Sequence, residues 1–115
     1  MEVTIKRAYE PAAAADGYRI LIDRIWPRGV TKDAAHIDEW AKDAAPSTEL
    51  RKWFGHDPAR WSEFRKRYRK ELAAHAEAVA GWRARAARER VTLVYGARDE
   101  EHNNAVVLRE LLLER

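Results

Sequence analysis

The residues best suited to chemistry follow an apolar stretch in the first quarter of the chain. Ile20, Leu21 and Ile22 lead directly into Asp-Arg-Ile-Trp-Pro-Arg-Gly at positions 23–29. A folded core has no use for two fixed positive charges beside a rigid Trp-Pro step, whereas the planar arginine fork binds carboxylate or phosphate oxygens in pairs. The segment therefore predicts a site for an anionic small molecule, whose ligand-binding residues are Arg24, Trp26, Arg28 and Lys32.

A second polar cluster follows the apolar residues 91–95. We expect Asp99 to cap a following helix, so that His102 and Asn103, three and four positions later, lie over it on one side. An imidazole beside a carboxylate is suited to proton transfer, and arginines would stabilise developing negative charge. The predicted catalytic residues are His102, Asp99 and Asp23, and this second cluster adds the ligand-binding residues Tyr95, Arg98 and Asn103.

Each of these residues also has a purely structural interpretation. Asp99 is equally suited to be only a helix cap, Arg28 to close the carboxyl end of a helix, and Trp26 to fill the core. The chain has no cysteine, no glycine-rich phosphate loop and no Gly-x-Ser-x-Gly elbow. One histidine with adjacent acids is weak evidence for a metal, so no metal site is predicted, no cofactor is indicated and enzymatic activity stays open.

Two buried strands, predicted over 18–25 and 91–95, have to position the two clusters. Residues 3–9 alternate between apolar and polar types, which predicts an edge strand. Capping residues and apolar periodicity predict the helices. They are a short helix through Ile37 and Trp40 ending near Ala44, one from a Ser47 cap to Gly55, a long one over 57–89 that continues or kinks at Gly81, and a last one over about 100–114.

The order strand, helices, strand, helix favours parallel pairing through a right-handed crossover. We therefore predict an α/β fold, a small three-layer sandwich with a short, mainly parallel sheet and a long crossover helix. A length of 115 residues fits one domain over 1–115. Since loops at the carboxyl ends of parallel strands emerge on one edge, the two polar clusters should meet there.

The charge distribution leaves a second function class open. The formal net charge is +3, but residues 57–90 alone hold ten Arg or Lys against five Asp or Glu. Such a helix either faces solvent or contacts nucleic acid, so a nucleic-acid-associated module using helix 57–89 is the alternative function. A further alternative is a non-catalytic interaction domain, because the apolar breadth of the last helix places it either inside the fold or against a second copy in a homo-oligomer.

The N-terminus is charged within two residues and has no long apolar run. We therefore expect no signal peptide, no membrane contact and a cytoplasmic location. The absence of cysteine is compatible with a reducing compartment.

Several longer motifs carry a family resemblance. They are Asp-Arg-Ile-Trp-Pro-Arg-Gly-Val-Thr-Lys at 23–32, Ala-Pro-Ser at 45–47, Leu-Arg-Lys-Trp-Phe-Gly-His at 50–56, and Thr-Leu-Val-Tyr-Gly-Ala-Arg-Asp at 92–99 followed by His102 and Asn103. Over nearly the whole chain, this pattern resembles the YeaO-like family of bacterial domains, domain of unknown function 488. The resemblance implies a small bacterial α/β domain and no particular reaction.

Overall fold

The fold is built on a four-stranded sheet in which every pairing is parallel. A computed structural model describes residues 1–114, with strands β1 Val3–Arg7, β2 Tyr18–Leu21, β3 Glu39–Trp40 and β4 Val91–Tyr95. Their order across the sheet is β1-β4-β2-β3, so the crossovers run through the helices that separate the strands in sequence. The predicted α/β class and the parallel sheet are confirmed.

Side chains of β4 enter cores on both faces of the sheet, following the strand period of two. In β4 all five residues are buried, with Val91, Leu93 and Tyr95 in the larger of two cores and Val94 in the smaller one. Strand β2 ends at Leu21, four residues before the predicted end, although the Ile22 amide still donates to the Val94 carbonyl at 3.0 Å. The chain leaves the sheet there because residue 23 turns its side chain towards the end of β4.

Within residues 1–114, five α-helices surround the sheet, and short 3₁₀ turns lie in the connections between the elements. The helices are α1 Lys32–Ala35, α2 Thr48–Phe54, α3 Trp61–Leu72, α4 Ala76–Ala86 and α5 Asn104–Leu113, and the 3₁₀ turns are Ala14–Asp16, Lys42–Ala44, Pro58–Arg60 and Ala73–His75. The predicted bounds of α2 are confirmed, since Ser47 Oγ accepts from the Leu50 amide at 3.1 Å and Gly55 ends the helix at φ 54°. Both Ser47 Oγ and its amide also donate to Glu71 of α3, at 2.6 and 2.8 Å.

The predicted long helix over 57–89 is wrong in one respect. It is interrupted by the 3₁₀ turn Ala73–His75. At Gly81, where the sequence predicted that the helix continues or kinks, it continues within the regular helix α4. Three residues of 3₁₀ helix make about one turn, so the apolar face stays in phase across the interruption. Leu72 before the turn and Val79 after it are both buried, and periodicity therefore did not show the break.

The region around residues 37–44 and the start of the last helix also differ from expectation. Instead of a short helix through Ile37 and Trp40, the chain forms β3, because the Asp38 and Ala41 amides donate to carbonyls of β2 at 2.9 Å. The last helix begins at Asn104 and not near Glu100, since the Asn103 side chain is its cap and accepts from the Val106 amide at 3.1 Å.

The two faces of the sheet are covered unequally. The larger core lies between the sheet and helices α2–α5, whereas the other face carries a thin layer in which Trp26, Val30 and Ile37 pack on Ala8, Leu21 and Val94. Helix α5 contacts both the sheet and helices α3 and α4. Its apolar breadth is therefore explained by burial inside the fold.

Candidate functional site

A cavity of about 210 Å³ opens at the carboxyl ends of β2 and β4, where the sequence predicted the site. Its polar lining consists of Asp23, Arg24, Arg51, His56, His102, Asn103 and Asn104, and its apolar lining includes Ile25, Pro46, Phe54 and Phe64. These residues come from the ends of two strands, from α2 and the residues that follow it, and from the start of α5. The fold thus brings the two predicted clusters together.

Asp23 lies between the two strand ends. Its Oδ2 accepts from the Gly96 amide at 2.7 Å and its Oδ1 from Asn104 Nδ2 at 3.1 Å, and the same Asn104 amide also donates to the Ile22 carbonyl. Burial raises the pKa of the Asp23 carboxyl, although these two hydrogen bonds and the positive charges of Arg51 and His56 oppose the shift. Asp23 is therefore a fixed acceptor in the cavity wall.

Arg24 is held by backbone carbonyls. Its Nε donates to the Pro46 carbonyl at 3.1 Å and its Nη2 to the Ala45 carbonyl at 3.2 Å, just before the cap of α2. Two of its donors therefore tie the end of β2 to the start of α2. An arginine has five N–H donors, so this fork keeps others for a ligand.

Helix α2 adds two further basic residues at its carboxyl end. Arg51 lies on the cavity side, and its guanidinium makes no hydrogen bond or ion pair with any residue of 1–114. His56 follows Gly55, and both have left-handed backbones, with φ of 58° and 54°. Such a conformation is uncommon for a residue other than glycine, and here it turns the chain so that His56 lines the cavity.

His102 is oriented by two neighbours. Its Nδ1 lies 2.9 Å from Asp99 Oδ2, and its ring meets Trp61 of α3 edge-on, with centroids 5.2 Å apart. The Glu101 amide, together with the His102 side chain and amide, lowers the pKa of Asp99. Asp99 therefore caps the turn before α5 and holds His102, as predicted for the pair, but it does not cap the helix itself.

Asn103 is almost fully buried, and both ends of its side chain are engaged. Its Nδ2 donates to the Asp99 carbonyl at 2.9 Å, and its Oδ1 is the cap of α5. Among the predicted site residues, the structure thus places Asp23, Arg24, His102 and Asn103 on the cavity and Asp99 directly behind His102.

The other five predicted residues lie elsewhere. Trp26 belongs to the thin layer on the opposite face, where its Nε1 donates to the Val30 carbonyl at 2.6 Å and its ring meets Trp40 edge-on. Tyr95 is 2% exposed within the larger core. The remaining three side chains are exposed and do not line the cavity: Arg28, Lys32 and Arg98.

Sequence reasoning missed Arg51, His56 and Asn104. The loops that follow β2 and β4 were expected to supply the whole site, whereas helix α2, in the connection from β3 to β4, also reaches this edge. The available signal was the segment at 50–56, in which a basic residue and a histidine flank the Trp-Phe-Gly end of a short capped helix.

Most arginines of helices α3 and α4 form ion pairs with acidic side chains of the same protein. Glu110 of α5 and Glu114 directly after it pair with arginines of α3. Arg67 pairs with Glu63 at 3.0 Å, and Arg85 pairs with Glu89 at 2.9 Å. Arg67 also lies over the Trp53 ring, 4.1 Å from its centroid. Much of the basic surface predicted for nucleic acid is therefore neutralised within the fold.

Residues 1–114 contain no cluster of three or more histidine or acidic side chains placed to hold a metal ion. Within the same range, no helix has both the length and the apolar character needed to cross a membrane.

Comparison with known proteins places the chain in a family. It is 43% identical to the uncharacterized protein YeaO of Escherichia coli (strain K12) over 112 residues, which cover 97% of each chain. It is 44% identical over 110 residues to the uncharacterized proteins Rv3073c of Mycobacterium tuberculosis (strain ATCC 25618 / H37Rv) and Mb3100c of Mycobacterium bovis, covering 96% of this chain and 92% of each relative. No solved structure matches it. A family model described as "Inactive DUF488-N3 subclade" matches residues 2–115, and the chain therefore belongs to the DUF488 family, in agreement with its YeaO-like motifs.

Proposed function

We propose that this protein binds a small anionic molecule, bearing a phosphate or a similar group, in the cavity at the carboxyl ends of β2 and β4. The observation that carries the proposal is the convergence of Arg24, Arg51, His56 and His102 on one cavity. Arginines bind oxyanions in pairs of hydrogen bonds, and the first turn of α5 adds its partial positive charge. Among residues 1–114, Asp23 is the one acid that lines the cavity, and each of its two oxygens accepts a hydrogen bond.

The proposed role is binding without covalent chemistry. No serine, threonine, cysteine or lysine lines the cavity in the described part of the chain. The family description "inactive" agrees with this choice. The His102 and Asp99 pair would then recognise the ligand by hydrogen bonding, with Asp99 fixing the orientation of the ring.

Binding of inorganic phosphate and sulfate, measured by isothermal titration calorimetry, tests the proposal. A hydrogen bond to a charged group contributes about 1.5–3 kcal/mol, so Arg51→Ala should weaken phosphate binding roughly ten- to hundredfold. The matched control is Arg28→Ala, because the Arg28 side chain is exposed and lies off the cavity. Its effect should stay below about twofold, since distant surface charges are largely screened.

Two results would count against the proposal. One is the absence of phosphate or sulfate binding by the unmodified protein at low ionic strength. The other is an equal loss in both arginine variants, which would indicate attraction by net charge and not by the cavity.

A further inference from the structure

The cavity lining carries opposite charges that do not neutralise each other. Asp23 and Arg51 both face it, yet Asp23 forms no ion pair with any residue of 1–114, and the Arg51 guanidinium has no partner in the same range. The Arg24 guanidinium donates instead to the carbonyls of Ala45 and Pro46. An acceptor and a positive group thus line the same cavity from separate parts of the chain, the loop after β2 and helix α2.

Asp23 keeps acceptor capacity for a ligand. Each of its oxygens accepts one hydrogen bond, from the Gly96 amide or from Asn104, whereas a carboxylate oxygen has two lone pairs. Burial, which raises the pKa of this carboxyl, also deprives it of water. A cationic donor from a ligand would restore that lost solvation, whereas an anion placed directly against Asp23 would be repelled.

The cavity lining also has an apolar part. Phe54 and Phe64 stack with ring centroids 4.3 Å apart and both line it, together with Pro46. A volume of about 210 Å³ is about seven times the share of one liquid water molecule, roughly 30 Å³. The space therefore suits a short carbon chain with a polar group at each end.

We propose that the ligand is a small amino-phosphate or similar zwitterion, whose amino group binds Asp23 while its anionic group binds Arg51. This inference rests on the proposed anion site and adds the identity of the second recognised group. The amine is chosen over a hydroxyl because an ammonium group adds Coulombic attraction to the Asp23 carboxylate, which a neutral hydroxyl lacks.

Three phosphates of increasing complexity test the inference on the full chain by calorimetry: inorganic phosphate, ethyl phosphate and 2-aminoethyl phosphate. The unmodified protein should bind 2-aminoethyl phosphate at least about tenfold more tightly than ethyl phosphate. In Asp23→Asn, that ratio should fall to about one, while inorganic phosphate should bind as well as before or better. In Arg51→Ala, all three should weaken together.

The outcomes separate the two proposals. If none of the phosphates binds, the anion site itself is refuted. If phosphate binds and loses affinity in Arg51→Ala, but ethyl and 2-aminoethyl phosphate bind equally to the unmodified protein, only the zwitterion inference is overturned. That comparison needs no variant at position 23, so it holds even if Asp23→Asn fails to fold. A preference for 2-hydroxyethyl phosphate over the amine would likewise overturn the amino-group assignment.

Discussion

Replacing Asp23 by asparagine should change how the stability of the protein depends on pH. Because burial raises the pKa of Asp23 above its ordinary value of 3.8, the unfolded chain loses this proton before the native protein does. The native state then binds more protons than the unfolded state, so the contribution of Asp23 to stability falls as pH rises from 3.8 to its native pKa. Asp23→Asn cannot ionise and escapes this loss.

The magnitude has two parts with different pH dependence. Asparagine offers one acceptor where the carboxylate offers two, so either the Gly96 amide or Asn104 Nδ2 faces another donor, at a cost of about 1–3 kcal/mol. Asn104 cannot simply flip, since its amide also donates to the Ile22 carbonyl. This offset is nearly the same at every pH, whereas the ionisation part favours the variant by about 1.4 kcal/mol for each pKa unit of the shift.

Urea denaturation followed by tryptophan fluorescence, from about pH 4 to pH 7, measures both parts. The difference in free energy of unfolding between Asp23→Asn and the unmodified protein should move in favour of the variant as pH rises. The control is Asp57→Asn, at an exposed cap whose bond from the Ala59 amide an asparagine also accepts, and its difference should stay within about 0.5 kcal/mol. A change in favour of the unmodified protein with rising pH would refute the reasoning, because Arg51 and His56 would then outweigh burial.

Two further predictions concern the backbone at the amino end of β2 and the start of α5. Gly17 has φ 68°, and a Cβ there would lie 2.2 Å from the Arg90 carbonyl oxygen. Gly17→Ala should therefore destabilise the protein by about 2–4 kcal/mol, because it strains the backbone and disturbs the hydrogen bond from the Tyr18 amide to the Arg90 carbonyl. Gly81→Ala is the matched control, because nothing lies within 4 Å of the added Cβ in the middle of α4. Its free energy of unfolding, measured by thermal unfolding, should rise by about 0.5–1 kcal/mol. Equal effects of the two substitutions on stability would contradict the geometry. Asn103→Ala removes the cap of α5 and should cost about 1–2 kcal/mol in denaturant unfolding. Asn103→Asp keeps the cap but turns a buried carboxylate oxygen towards the Asp99 carbonyl that Asn103 Nδ2 now contacts, so it should not restore the stability. A neutral Asn103→Ala would show that water replaces the cap.

The strand-end rule carried most of the prediction from sequence. Apolar stretches ending in polar residues located β2, β4 and the edge where Asp23 and His102 meet. The rule failed for Trp26 and Arg28, because the loop after β2 turns under the sheet and its residues pack on the opposite face or remain in solvent. Such a turn depends on tertiary contacts that local sequence does not encode.

The features that the sequence prediction missed depend on contacts between distant parts of the chain. A spacing of three between Ile37 and Trp40 indicated a helix, yet the open edge of β2 offered backbone hydrogen bonds that made a strand of residues 39–40. Arg51 could not be assigned from sequence for a related reason. Its position on the cavity depends on how α2 packs, and the contact that fixes this, between Ser47 and Glu71, joins residues far apart in the chain.

That contact also gives α2 an uneven attachment. At the amino end the helix is tied to α3 through Glu71 and to β2 through Arg24, whereas its last turn presents Arg51 with no partner among residues 1–114. A ligand that joined Arg51 to Asp23 would add a polar link between the end of β2 and the last turn of this helix, which packs on α3 through Phe54 and Phe64. Ligand binding would then raise the free energy of unfolding as ligand occupancy rises. The small molecule would therefore stabilise the fold as well as being bound by it.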